Sequence, residues 1–214
     1  MLLAKLQGTL QSHYDLDVPY GIEQFFCSDK DVAQRLAHEQ DGVCAARSDI
    51  GEEHVFIHQE NDTLEFTVYI DEALLSSLDN SAVCELDELC TVVEGASHAI
   101  CLLWHAHNDR QVRPVDLELQ AEIDKYVVLG CHMGNRVERR ELHRKLFDSS
   151  RYIDKPGTEL FERYYTASTF AARYCQWLDH QFPNGGSKTP LLQELARFYR
   201  LSGRAKFERI KQLH

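Results

Sequence analysis

Four histidines are the first residues in this chain whose types and spacing suggest chemistry. His105 and His107 stand two apart at the end of the apolar run Ala99 to Trp104. If that run is a strand, alternation sends both imidazoles to one face. His54 and His58 are four apart in a segment that alternates strongly. They therefore share the polar face of a hairpin, with Glu65 nearby on the returning strand. Neutral imidazole is a common ligand for zinc or iron, and a carboxylate can complete the shell. A third strand pairing with coincident faces would gather His54, His58, His105 and His107 into a metal site, with Zn or Fe as cofactor and a metal-dependent enzyme as the reading. The plainer alternative is that each ring only hydrogen-bonds where it stands.

A second set is acidic. Glu94 and His98 flank Gly95, and Glu118, Glu122 and Lys125 fall on one helical face at spacings of four and three. Paired carboxylates can serve general acid–base chemistry. A solvated helix face balanced by Lys125 is the more ordinary account of the same residues. Cysteine chemistry has two candidates. Cys27 precedes a predicted helix N-terminus, where the dipole favours thiolate, and Cys131 precedes His132. Both also suit core cysteines. There is no G-x-x-x-x-G-K-[ST], G-x-G-x-x-G, H-E-x-x-H or G-x-S-x-G, so the main nucleotide-binding, zincin and α/β-hydrolase readings lose their best support.

The third set is basic. Arg136, Arg139, Arg140, Arg144 and Lys145 crowd one predicted helix, and Arg197, Arg200 and Arg204 begin another cluster near the C-terminus. The net charge of −11 conceals a division: 7 Lys+Arg against 25 Asp+Glu from Met1 to Asn135, then 16 against 9 from Arg136 to His214. Basic side chains with Tyr164, Tyr165, Tyr174 and Trp177 among them could hold a phosphate backbone. The acidic excess would repel a polynucleotide at long range, so a protein partner is favoured over nucleic acid.

These groups must be positioned by elements that are mostly legible. Residues 2–14 read as a short helix, and Ser28 caps a second that ends near Asp41-Gly42. From His54 to Ile70 the pattern is a hairpin turning at Asn61-Asp62, with Val55 opposite Val68 and Ile57 opposite Phe66 on the buried face and the histidine face polar. Leu86, Leu89, Cys90 and Val93 mark an amphipathic helix over 82–94, closed by Gly95. Ala99 to His107 then reads as an interior strand. Residues 115–123 alternate like a strand, yet Pro114 and the good helix formers after it favour a helix over 114–130. Asn135 with Glu138 resembles a capping box for 136–147. Lys155-Pro156-Gly157 is a break, Thr158 caps a long helix, and Pro183 to Ser187 is a loop. Thr189-Pro190 opens a helix closed near Gly203, and a tail helix carries Phe207, Ile210 and Leu213.

The fold class that follows is α+β: a small antiparallel sheet of three or more strands, covered by helices, with a helical C-terminal region. Residues 1–135 form the acidic α+β region and 136–214 the basic helical one, also compatible with one compact domain. The N-terminus lacks the apolar run of a signal peptide, and no stretch approaches the roughly 20 apolar residues of a membrane helix. Seven irregularly spaced cysteines without Cys-x-x-Cys fit a reducing cytoplasm. The leading expectation is a cytoplasmic interaction or regulatory protein without its own catalytic centre. It would bind a protein partner through Arg136, Arg139, Arg140, Arg144, Lys145, Arg197, Arg200 and Arg204, with no membrane partner and with a homo-oligomer compatible.

Overall fold

The alternation from Glu53 to Ile70 folds in the register read from its side chains. In the computed structural model, which describes residues 2–41, 51–60, 63–80, 85–130, 136–148, 156–183 and 188–213, strand β2 (Glu53–Glu60) runs antiparallel to β3 (Thr63–Ile70). Val55 faces Val68 and Ile57 faces Phe66. The turn at Asn61-Asp62 lies outside the described residues. The third strand is not Ala99 to His107 but β1 (Phe26–Cys27), which pairs parallel to β3 and leaves β3 central in the order β1-β3-β2. The fold is α+β, with a three-stranded mixed sheet and, among the described residues, nine α-helices.

The chain divides into two compact units, Met1–Gly8 with Val18–Asp109, and Thr9–Asp17 with Arg110–His214. The first holds 4 Lys+Arg and 19 Asp+Glu, a net −15; the second holds 19 and 15, a net +4. Helix α1 (Leu2–Tyr14) contributes to both.

In the first unit the sheet is covered on both faces, which corrects the expectation of one polar face. On the histidine side, Phe56 and Tyr69 are buried against Ala33, with Leu36 and Ala37 packed around them, all three from α2 (Lys30–Asp41). The Asp29 carboxylate starts that helix, accepting from the backbone N–H groups of Asp31 at 2.9 Å and Val32 at 3.2 Å, so Asp29 rather than Ser28 is the cap. Helix α3 (Glu72–Asn80) follows the hairpin. The other sheet face receives α4 (Leu86–His107), a single helix that runs through Gly95 and absorbs the expected strand. An apolar run buried on all sides has no period, which is why Ala99 to Trp104 could not be told from a strand. Gly95 is there for close approach, not termination. A Cβ at 95 would stand 2.9 Å from Ile70 Cδ1 and 3.2 Å from Val68 Cγ1. By length and composition α4 could cross a membrane, but 72% of its most apolar window is buried in the protein, as in a core helix.

The second unit is helical. Helix α5 (Pro114–Gly130) begins at Pro114 as expected and is buried almost throughout. It packs on α6 (Arg136–His143) and on α7 (Glu159–Gln181), followed in the chain by α8 (Lys188–Tyr199) and α9 (Gly203–Lys211). The capping role given to Asn135, the pair Cys131-His132 and the loop from Asn184 to Ser187 lie outside the described residues. Thr158 does cap α7, its hydroxyl accepting from Phe161 N–H at 3.2 Å. Beyond His143 the expected helix to 147 continues as a π turn, Arg144–Asp148.

Within this unit a polar chain runs through the core. The Tyr14 hydroxyl donates to Asp124 Oδ1, Gln120 Nε2 donates to the same oxygen at 2.8 Å, and Lys206 Nζ donates to Gln120 Oε1 at 2.7 Å. Lys206, 2% exposed, lies 4.9 Å from the centre of the Tyr199 ring and 5.5 Å from that of Phe198. A second node is Glu194, which accepts from Arg197 at 2.7 Å and from Arg209 at 2.6 Å.

Candidate functional site

The four histidines are distributed by the helical state of α4. On a helix, two residues apart is about 200° of rotation, so His105 and His107 do not share a face. His105 is buried and its Nδ1 donates to the Cys101 carbonyl oxygen at 2.8 Å; His107 is exposed. His54 and His58 do share a strand face. His54 packs beside Phe56 with ring centres 4.6 Å apart, and His58 is exposed opposite Glu65. Among the described residues these four histidines form no group of three or more donor atoms within 4.8 Å. The expected four-histidine metal site is therefore not assembled. Cys101 Sγ lies 3.4 Å from His105 Nδ1, but that nitrogen carries its proton toward a carbonyl and is not placed as a base. Cys27 sits on β1, its thiol donating to Asp29 O at 3.7 Å, and Cys175 is a core thiol that burial pushes up.

A different imidazole in the first unit meets carboxylates. With α4 continuous through Gly95, Glu94 and His98 lie one turn apart, and their donor atoms fall within 4.8 Å of each other. His98 is buried, and its Nδ1 is 3.2 Å from Glu53 Oε1 on β2. The sequence places Glu94 and His98 near each other, but only the packing of α4 on β2 brings in Glu53. In the second unit, Lys125 binds Glu122 at 2.7 Å and Glu118 pairs with Arg163 at 3.4 Å, but Glu118 and Lys125 are buried, so this is not the solvated helix face expected.

Several of the candidate basic residues have partners within the chain, and all of the described ones except Arg139 are exposed. Arg139 donates from Nε to Asp179 Oδ1 at 3.1 Å and from Nη2 to Pro183 O at 2.6 Å. Arg144 binds Glu141 at 2.7 Å, holding that carboxyl below its ordinary range, and Arg197 binds Glu194. Arg200 caps the end of α1, donating to the Tyr14 carbonyl at 3.0 Å and to that of Asp15. Arg140, Lys145 and Arg204 are exposed. The Arg136 side chain lies outside the described residues.

Arg140 opens onto a concavity of the second unit. Arg140 and His143 of α6, with Gln176, Asp179 and His180 of α7, line a cleft of about 90 Å³. Its floor is rigid. The Tyr126 hydroxyl donates to Asp179 Oδ2 at 2.5 Å while Arg139 holds the other oxygen. His143 Nε2 donates to Ala172 O at 2.9 Å, and its ring lies edge-on to Tyr126. The π turn places Phe147 4.8 Å from His143; such turns widen a helix and recur at functional sites. Asp179 thus has both oxygens occupied by donors, and Arg140, the two histidines and Gln176 complete the lining. Apart from Arg139 and Arg140, none of these residues stood out in the sequence. Residues 139–143 and 176–180 meet only because α6 packs on α7.

Burial raises the pKa of the Tyr126 phenol, with the Asp179 bond and charge adding to it; Tyr14, beside Asp124, and Tyr174, beside Glu194, are raised in the same way. A phenol whose folded pKa is raised above the unfolded value of about 10 stabilises fully below that value and loses its contribution as pH climbs through and beyond it. Unfolding midpoints measured from pH 8 to 11.5 should accordingly be level at first and fall above about pH 10. Tyr126→Phe should cost about 1–2 kcal/mol at neutral pH and fall less steeply in alkali. An equal alkaline slope in the two proteins would remove Tyr126 from this account.

Comparison with protein-family models, with curated proteins and with solved structures finds no match to this chain.

Proposed function

We propose that this chain is an interaction or regulatory protein without a catalytic centre of its own, and that it binds an acidic protein segment over α6 and the adjoining α6–α7 cleft. The observation that carries the reading is the cleft itself. Its carboxylate is bound by Tyr126 and Arg139, while Arg140 is exposed at its edge and Lys145 on the turn that follows.

Size supports a side chain as occupant rather than a metabolite. Pockets for small molecules run from roughly 300 to 1,000 Å³, and this one is about 90 Å³. A glutamate or aspartate side chain is of a suitable scale, and Arg140 offers it a planar fork of donors. The surrounding charge would act on association rate and partner choice more than on affinity. A polynucleotide is the less favoured polyanion. A short acidic segment feels the field within a Debye length of about 8 Å, whereas a long one meets the net −11 of the whole chain.

The test is fluorescence anisotropy of a glutamate-rich peptide against the full chain and the double variant Arg140→Glu/Lys145→Glu. Wild-type affinity should fall with salt, and the double variant should bind at least tenfold more weakly, the equivalent of about 1.4 kcal/mol. Equal binding by both proteins, or none by the wild type at low salt, would count against the proposal.

A further inference from the structure

We propose that Glu94 and His98 of α4 form a binding site for a divalent transition-metal ion of the zinc or iron type, with Glu53 of β2 acting behind the histidine. The proposal is independent of the partner-binding reading and uses residues of the first unit alone.

His98 Nδ1 is 3.2 Å from Glu53 Oε1, and a carboxylate can only accept, so the Nδ1 atom carries the hydrogen. When the imidazole is neutral, Nε2 then holds the lone pair. A histidine that donates one N–H to a carboxylate and offers its other nitrogen to a metal is the common outer-shell arrangement. The carboxylate fixes the ring and raises its basicity.

The second ligand comes from helical spacing. Glu94 precedes His98 by four residues, which puts the two side chains on one face of α4, and their donor atoms lie within 4.8 Å of each other. Two ligands bound to one ion at about 2.0–2.2 Å each stand at most a little over 4 Å apart, the scale of the separation seen here. Imidazole nitrogen with carboxylate oxygen suits zinc, iron or manganese rather than copper(I) or an iron–sulfur cluster, which favour thiolates. Water or further donors would complete the shell.

Position and charge favour a cation there. His98 is 4% exposed, and the Glu53 side chain is 14% exposed. The missing side chain at Gly95 lets Glu53 lie over α4, with its Cγ 3.4 Å from where a Cβ would be. Two carboxylates are thus drawn toward one buried imidazole in a unit of net charge −15. A divalent ion placed between them would carry the charge opposite to theirs.

The experiment titrates Zn²⁺, and separately Co²⁺ as a spectroscopic probe, into the full untagged chain. The expected result is saturable binding of one ion per chain, a rise in melting temperature, and Co²⁺ visible absorption bands showing nitrogen and oxygen ligation. Glu94→Gln should weaken binding at least tenfold, and Glu53→Gln by about 10–100-fold as an orienting partner. His58→Ala and His107→Ala, at exposed histidines outside the site, should bind as wild type. His98→Asn is included beside Glu94→Gln because the latter alters only a half-buried side chain and is the variant expected to fold normally. Binding below about 0.1 ion per chain at tenfold excess would overturn the proposal. So would binding that Glu94→Gln leaves intact, or binding lost on replacing His58 or His107.

Discussion

Replacing Lys206 by alanine is expected to lower the unfolding free energy by about 3–5 kcal/mol, the usual scale for removing one partner from a buried charged network. Lys206 is the last member of the chain Tyr14–Asp124–Gln120–Lys206, and its ammonium also faces the Tyr199 and Phe198 rings. Removing it leaves Gln120 Oε1 without that donor in the core and opens space beside two aromatic rings. A domain of this size has only about 5–15 kcal/mol in hand, so the loss is a large share of the total. Lys206→Met separates the contributions. It restores most of the volume but not the charge, and should recover part of the loss. Denaturant titration decides the matter: a shift under about 0.5 kcal/mol for Lys206→Ala would mean that the chain of hydrogen bonds contributes nothing net.

Gly203→Ala is expected to destabilise the protein, the opposite of what helix propensity predicts. At the first turn of α9 alanine should gain up to about 1 kcal/mol over glycine. A Cβ at 203, however, would overlap the Asp116 carboxylate. That carboxylate has little room to yield, because Arg113 grips it from its backbone N–H at 3.2 Å, from Nε at 2.9 Å and from Nη2 at 2.7 Å. Placing Asp116 against the start of α9 and in the first turn of α5 also sets its charge at two helix N-termini. The alanine must displace it, at an expected cost of about 2–3 kcal/mol. In an Asp116→Ala background the same change should be nearly neutral or stabilising. A stabilising Gly203→Ala in the wild-type background would show that Asp116 moves aside without cost.

What was legible in the sequence follows from which elements carry a period. The β2–β3 register could be read because its residues alternate, and a slip by one would turn Val55 and Val68 to the other face. Helix α5 was legible from Pro114 and the helix formers behind it, despite the strand-like alternation at 115–123. Helix α4 was not, because Ala99 to Trp104 is buried on all sides and Gly95 resembles a terminator when its role is contact with Val68 and Ile70. That one misreading placed His105 and His107 on a common face. Strand β1, at two residues, is too short to leave any pattern. The basic residues were identifiable, but which of them find partners within the chain was not. Arg139, Arg144, Arg197 and Arg200 are taken up by Asp179, Glu141, Glu194 and the carbonyls ending α1.

The partner-binding account turns on where an acidic ligand lands. Backbone amide spectra of the isotopically labelled full chain, recorded as a glutamate-rich peptide is added, report this residue by residue. The account predicts saturable shifts concentrated at residues 139–146 and 176–180, fading as salt is raised. Shifts confined to the hairpin and α2, or none anywhere at low salt, would contradict it.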